Sequence, residues 1–173
     1  MHRRVPARHH IVIQNCVFSG RWGGLAVGSE MSGGAYDIFA EDRRINSLDF
    51  PGRYNSRNPV FLKTNKKRGG AVDGVYVRRF RGRQIDRDCI HLITRCSNRT
   101  SDHPAVIRNV RVEHMVHDGA GSAINPEGLS SDPFLGIHIE HYDFTNMANP
   151  NIIGFAPDLV LRKMFVNGTE ANA

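Results

Sequence analysis

Several common signals are missing from this 173-residue sequence. No apolar stretch is long: runs such as Ile11-Val12-Ile13 and Ile152-Ile153 fall far short of the roughly 18 residues a membrane-spanning helix needs, so no membrane partner is expected. Cysteine is scarce. Cys16, Cys89 and Cys96 are too few and too irregular for a disulfide framework, no C-x-x-C pair is present, and buried free thiols are the expectation. Neither a G-x-x-x-x-G-K nor a G-x-G-x-x-G run occurs, which argues against a phosphate cradle. The N-terminus, Met1-His2-Arg3-Arg4-Val5-Pro6, has basic residues without an apolar segment behind them and does not read as a signal peptide. No stretch of comparable length to the alternating runs below shows the 3.6-residue helical period.

The overall composition is that of an ordinary globular chain. Hydrophobic residues make up 40% and charged residues 23%, which disfavours disorder, and the length suits one domain over residues 1–173. A formal net charge of +6 favours acidic partners: nucleic acid, anionic lipid heads or a polyuronic acid. Charge alone does not choose among them.

A repeat runs through the chain. Six segments share a small or polar residue followed by apolar, any, apolar: His10-Ile11-Val12-Ile13, Asp37-Ile38-Phe39-Ala40, Gly74-Val75-Tyr76-Val77, Asn109-Val110-Arg111-Val112, Gly136-Ile137-His138-Ile139 and Asp158-Leu159-Val160-Leu161. Their first apolar residues are spaced by 27, 37, 35, 27 and 22 residues, repeat-like periods interrupted by loop insertions. Alternation with period 2, rich in Val and Ile, is the strand signal. Five positions after each first apolar residue stands Cys16, Phe80, Met115, Tyr142 or Met164, with Arg43 as the exception, as expected of a coil that turns tightly and points inward again. Further short runs, Gly24-Leu25-Ala26-Val27, Val60-Phe61-Leu62, Cys89-Ile90-His91-Leu92-Ile93 and Ser122-Ala123-Ile124, supply second strands for these coils. Coils of this size cannot bury an apolar face alone and must stack, so the expected fold is all-β: a right-handed, single-stranded parallel β-helix, or solenoid. A sandwich would need frequent hairpin turns, and the one Asn-Gly signal is Asn167-Gly168 near the end.

Two glycine-ended stretches carry the most specific information. The first is Gly23-Gly24-Leu25-Ala26-Val27-Gly28-Ser29-Glu30-Met31-Ser32-Gly33-Gly34, a short strand followed by a turn. The second is Val60-Phe61-Leu62-Lys63-Thr64-Asn65-Lys66-Lys67-Arg68-Gly69-Gly70, a strand that carries a lysine into a basic turn. Taken by themselves they read as strand and turn, with Lys66, Lys67 and Arg68 on a solvated loop.

In this order, and flanked by Ile11-Val12-Ile13-Gln14-Asn15-Cys16 and Gly74-Val75-Tyr76-Val77-Arg78, these stretches resemble glycoside hydrolase family 28, the polygalacturonases, and more narrowly its bacterial exo-acting branch. The resemblance is clear over about residues 3 to 80. It implies a β-helix acting on pectin or polygalacturonate by inverting hydrolysis of α-1,4-galacturonide links, a reaction that needs one carboxylic acid and one carboxylate on opposite faces of the bond. In the family those groups sit in an Asn-Thr-Asp strand and an Asp-Asp pair, both upstream of the region matched here. The implied chain is therefore a solenoid truncated at its N-terminal end, with no catalytic residue of its own, inactive without a missing N-terminal half. The family usually acts outside the cytoplasm. No cofactor or metal is implied.

The same resemblance implies Lys63, Trp22, Ser29 and Glu30 as substrate contacts. Where many members read Gly-His-Gly this sequence reads Arg21-Trp22-Gly23, and where they read Arg-Ile-Lys it reads Phe61-Leu62-Lys63. Lys63 would hold a sugar carboxylate as a point charge without a guanidinium fork, and Trp22 would stack on a sugar ring or pack at a strand end.

Other candidates have plainer accounts. His114 and His141 hold the same place in successive repeats and suggest a metal site, yet Asn15, Asp42, Arg79 and Lys163 hold that place elsewhere, which fits an outward polar column. Asp86, Asp88, Asp132 and Asp143 have no spacing that pairs two carboxyls on one face, so turn and cap roles are expected. Arg78, Arg79, Arg81 and Arg83 form the densest basic cluster, read as a solvated face. Asn98-Arg99-Thr100 and Asn167-Gly168-Thr169 fit a glycosylation sequon. The alternatives to an enzyme-family reading are a non-catalytic β-helix that binds acidic polysaccharide and a basic β-solenoid that binds nucleic acid or protein.

Overall fold

The computed structural model describes residues 8–19, 23–46, 56–96 and 103–171. Among these residues twelve strands follow in chain order: β1 (Arg8–Gln14), β2 (Val17–Phe18), β3 (Leu25–Val27), β4 (Ala35–Asn46), β5 (Val60–Lys63), β6 (Ala71–Arg83), β7 (Ile90–Ile93), β8 (Val106–Ala120), β9 (Ile124–Glu127), β10 (Leu135–Met147), β11 (Val160–Val166) and β12 (Thr169–Ala171). The long strands stack as β1-β4-β6-β8-β10-β11-β12, with β2 beside β4, and the short ones as β3-β5-β7-β9. Neighbours are parallel in both sheets except β11 and β12. The chain thus winds as a right-handed parallel β-helix, alternating between a broad sheet, sheet A, and a narrow one, sheet B.

The repeat read from the sequence is the register of sheet A. Ile11 pairs with Ile38, Ile38 with Val75, Val75 with Val110 and Val110 with Ile137. His138 pairs with Val160, which brings Leu159 beside Ile137. Both apolar positions of the later repeats point inward: Val75, Val77, Val110, Val112, Ile137, Ile139, Leu159 and Leu161 are buried in one continuous core. Burying such a side chain contributes about 1.5–3 kcal/mol, and the contribution recurs at every rung.

Each long strand bends without breaking its ladder. Bends fall at single residues in the left-handed region, aligned in three columns. The first is His10, Asp37, Gly74, Asn109 and Gly136; the second is Asn15, Asp42, Arg79, His114, His141 and Lys163; the third is Gln84, Gly119 and Asn146. Asn, Asp and Gly enter this conformation cheaply, longer side chains less so. The tight turn expected after each repeat segment is therefore one residue long, and β8 runs for 15 residues through three such bends, at Asn109, His114 and Gly119.

Arg43 is not an exception to the inward column. It pairs with Phe80, which pairs with Met115, and it is only 2% exposed. Its Nη2 donates to the Ile13 carbonyl at 3.4 Å and its guanidinium lies 5.0 Å from the Phe18 ring. None of the three cysteines forms a disulfide, but Cys89 alone is buried; Cys16 and Cys96 are half-buried, because both sit where a strand has just ended. Asn167-Gly168 forms the tip of the β11–β12 hairpin, both residues at positive φ, as its turn chemistry predicts.

Candidate functional site

Sheet B presents the motifs that the sequence singled out. Along it the outward column reads Ala26, Phe61, His91 and Asn125, and the next outward positions read Lys63, Ile93 and Glu127. The glycines around β3 and β5 permit rungs to approach closely. A β-carbon on Gly28, at φ +92°, would lie 1.8 Å from the Lys63 carbonyl oxygen, and one on Gly70, at φ +86°, would lie 1.9 Å from that of Met31. No other residue fits at either place. The two glycine-ended motifs are thus adjacent rungs of one face.

Lys63 is half-buried, with Nζ 4.8 Å from the centroid of the Phe61 ring. That contact holds the ammonium at the strand exit by attraction to the ring face. Phe61 in turn meets the His91 imidazole edge-on, ring centroids 5.1 Å apart. A cation, an aromatic ring and an imidazole therefore stand within two rungs.

His91 is locked from below. Its Nδ1 lies 2.9 Å from Asp88 Oδ2. Asp88 also accepts from Ser122 Oγ at 2.6 Å and from Asn125 Nδ2 at 3.1 Å, and its carbonyl accepts from Asn58 Nδ2 at 2.8 Å. Burial works to raise the Asp88 carboxyl, but the hydrogen bonds from His91, Ser122 and Asn125 outweigh it and hold the group below the usual aspartate value. On the other side, Glu127 Oε1 lies 3.1 Å from His91 Nε2 off the direction of a hydrogen bond, while Glu127 Oε2 accepts from Arg95 Nη2 at 3.1 Å.

The sequence reading missed this Asp88-His91-Glu127-Arg95 cluster. It brings two carboxylates together, as a hydrolytic pair requires, but the imidazole fills the space between them where the attacking water of an inverting mechanism would stand. Its chemistry is to fix His91 and the floor beside Lys63.

The remaining sequence candidates are placed as follows. Ser29 and Glu30 lie in the turn after β3; the Ser29 carbonyl accepts from Asn65 Nδ2 at 3.4 Å, and Glu30 Oε2 accepts from Arg68 Nε at 2.7 Å. Trp22 and the Asn98-Arg99-Thr100 sequon lie outside the described residues. Asp132 caps a loop, accepting from Ala105 N at 3.3 Å and Lys66 Nζ at 3.1 Å. His114 and His141 are both exposed and stacked, ring centroids 4.7 Å apart and 19° from parallel, which turns their faces rather than their lone pairs toward each other. No group of three or more His, Cys, Asp or Glu able to hold a metal ion occurs among the described residues. Within the arginine cluster, Arg78 and Arg79 are ion-paired with Glu41, and Arg79 also with Asp42.

No family model matches the sequence. A curated protein from Vitis vinifera described as a probable polygalacturonase is 32% identical over 122 residues, which is 68% of this chain and 23% of that protein. Among solved structures, a hyperthermoactive exopolygalacturonase from Thermotoga maritima matches with a TM-score of 0.86 at 23% identity, over 94% of this chain and 35% of that one. That likeness establishes the fold. The chain spans between about a quarter and about a third of the length of these relatives, at 23% and 35%.

Proposed function

The chain is a polygalacturonase-like β-helix, and from that premise we propose that its sheet-B face binds acidic polysaccharide of the pectate type, as part of a pectin-degrading glycoside hydrolase architecture. The observation that carries the reading is the position of Lys63, a cation held over the Phe61 ring at the exit of a sheet-B rung. An ammonium beside an apolar ring suits a sugar acid, whose carboxylate needs a charge and whose ring face needs an apolar neighbour. Ser29, Glu30 and Trp22 are proposed to border the same face; Glu30, neutralised by Arg68, would orient hydroxyl groups without repelling a uronate.

We propose further that this chain binds without hydrolysing. Its sequence has no Asn-Thr-Asp run and no Asp-Asp pair, and the Asp88 and Glu127 carboxylates are committed to His91 and Arg95. Inverting hydrolysis of α-1,4-galacturonide links would then depend on carboxylates supplied by a further segment, an N-terminal half in the resemblance described above.

Retention on immobilised pectate tests the binding. Elution by free galacturonate, and weakened retention of Lys63→Ala, are expected; elution unchanged by galacturonate would overturn a sugar site. No release of reducing ends from polygalacturonate by this chain alone is expected, and measurable turnover would overturn the statement about its acids.

A further inference from the structure

A groove of about 870 Å³ runs along the second bend of sheet A, and no residue of the sheet-B face lines it. Its banks are two rung-matched columns. One is the left-handed column Asp42, Arg79, His114, His141, Lys163; the other, two residues on, is Arg44, Arg81, Val116, Asp143, Phe165. The residue between them in each rung points inward, which is why Arg43 and Tyr142 appear only at the floor. Five rungs at the usual strand separation make the groove roughly 19 Å long.

Two independent features set it apart. The first is charge. Arg79 is satisfied by Asp42 and Glu41, but Arg81 and Lys163 form no ion pair among the described residues, and of the two lining acids Asp42 is taken up by Arg79, which leaves Asp143. The basic strip continues past the groove to Arg83, opposite Asp118. The second is backbone conformation. At φ of 53°, 54°, 59° and 48°, Arg79, His114, His141 and Lys163 occupy the left-handed bend in four successive rungs, where Asn15 and Asp42 show the relaxed choice. Histidine enters this region more readily than most residues, but the long Arg79 and Lys163 side chains are kept there at a cost, and such cost persists where the side chain has a use.

We propose that this groove binds an oligouronate chain lengthwise, as a site separate from the sheet-B face. Arg81 and Lys163 meet carboxylates from opposite banks, the exposed edges of the stacked His114 and His141 rings donate hydrogen bonds between them, and Val116 and Phe165 take the apolar faces of sugar rings. A single-stranded nucleic acid would need a series of open aromatic faces on which bases stack. Phe165 offers one, and the two imidazole faces are turned toward each other. The choice of galacturonate as first probe rests on the preceding reading; the preference for a carboxylate chain rests on the groove.

The test is a titration of the full chain followed by NMR at the imidazole resonances of His114 and His141. Pentagalacturonate should shift both. Arg81→Gln combined with Lys163→Asn, which suits the left-handed backbone, should raise Kd for that response about tenfold or more, as loss of charge-assisted bonds does, while Lys63→Ala should leave it unchanged. If the double variant fails to fold, Arg81→Gln alone should still weaken the response. Shifts with guluronate oligomers but not galacturonate ones would support the groove and count against the pectic reading of the sheet-B face. The proposal is overturned by no response to either uronate, by loss of the response in Lys63→Ala, by an equal effect of inorganic phosphate, or by tighter binding of oligodeoxythymidylate.

Discussion

The imidazole of His117 rests against the bare α-carbon of Gly82 one rung earlier: a β-carbon at position 82 would lie 2.7 Å from His117 Nδ1 and 3.3 Å from Ile45 Cβ. All three belong to the same inward column, and His117 and Ile45 are both buried. Gly82→Ala forces a methyl group into a space already filled from two sides. Overpacking of this kind costs about 1–3 kcal/mol, and the loss should appear as a lower urea midpoint at unchanged slope.

The same histidine predicts acid sensitivity. Burial pushes its pKa from 6.5 down to about 4, the nearby Asp118 carboxylate opposing this only in part. The unfolded chain therefore takes up a proton that the folded chain refuses. His117 contributes full stability above pH 6.5, loses it as pH falls toward about 4, and changes nothing further below that. At 1.36 kcal/mol per unit the loss is on the order of 3 kcal/mol. His117→Leu should flatten the stability profile between those limits, measured by denaturant titration at fixed pH steps; an unchanged slope would show that His117 is solvated.

How far the sequence discloses this architecture depends on which sheet is considered. Sheet A is legible because its inward Val and Ile pairs recur in register, so that Ile38, Val75, Val110 and Ile137 mark rungs directly. Sheet B is harder to read. Phe61, His91 and Asn125 stack in space but lie 30 and 34 residues apart, with variable loops between, so no period aligns Asp88 with Glu127. Arg43 looks like an outward residue because a guanidinium rarely occupies a core column. The left-handed bends are legible at Asn15 and Asp42, whose side chains favour them, and silent at Arg79, His114, His141 and Lys163, where only register reveals the column.

Asp88 anchors three donors at once, so its removal should affect more than one rung. Asp88→Ala would strand His91 Nδ1, Ser122 Oγ and Asn125 Nδ2. Leaving a buried donor unsatisfied costs about 1–3 kcal/mol, and Asp88→Asn should recover part of the loss. Because the folded carboxyl titrates below its ordinary value of 3.8, its contribution is present above that pH and lost as pH falls through the lowered value. The Asp88→Ala variant should therefore lack the last part of the acid transition, below the range governed by His117.

Arg43 supplies the reverse case, a residue whose loss should stabilise. Its guanidinium is nearly inaccessible, Nε and Nη1 have no hydrogen-bond partner, and the one bond from Nη2, to Ile13, is long at 3.4 Å. Burial accordingly lowers its pKa, the sign of a cation in surroundings that penalise charge. Phe80, Met115, Tyr142 and Met164 fill the same column in later rungs, so an unbranched apolar side chain suits the site. Replacing buried ion pairs with packed apolar groups is neutral or stabilising by up to about 4 kcal/mol, and the same desolvation argument applies to Arg43, which forms no ion pair among the described residues. Arg43→Met should raise Tm, and Arg43→Ala, which leaves a cavity beside Phe18, should raise it less or lower it. A fall in Tm for Arg43→Met would mean that the charge is compensated within the core, which the geometry around Nε and Nη1 contradicts.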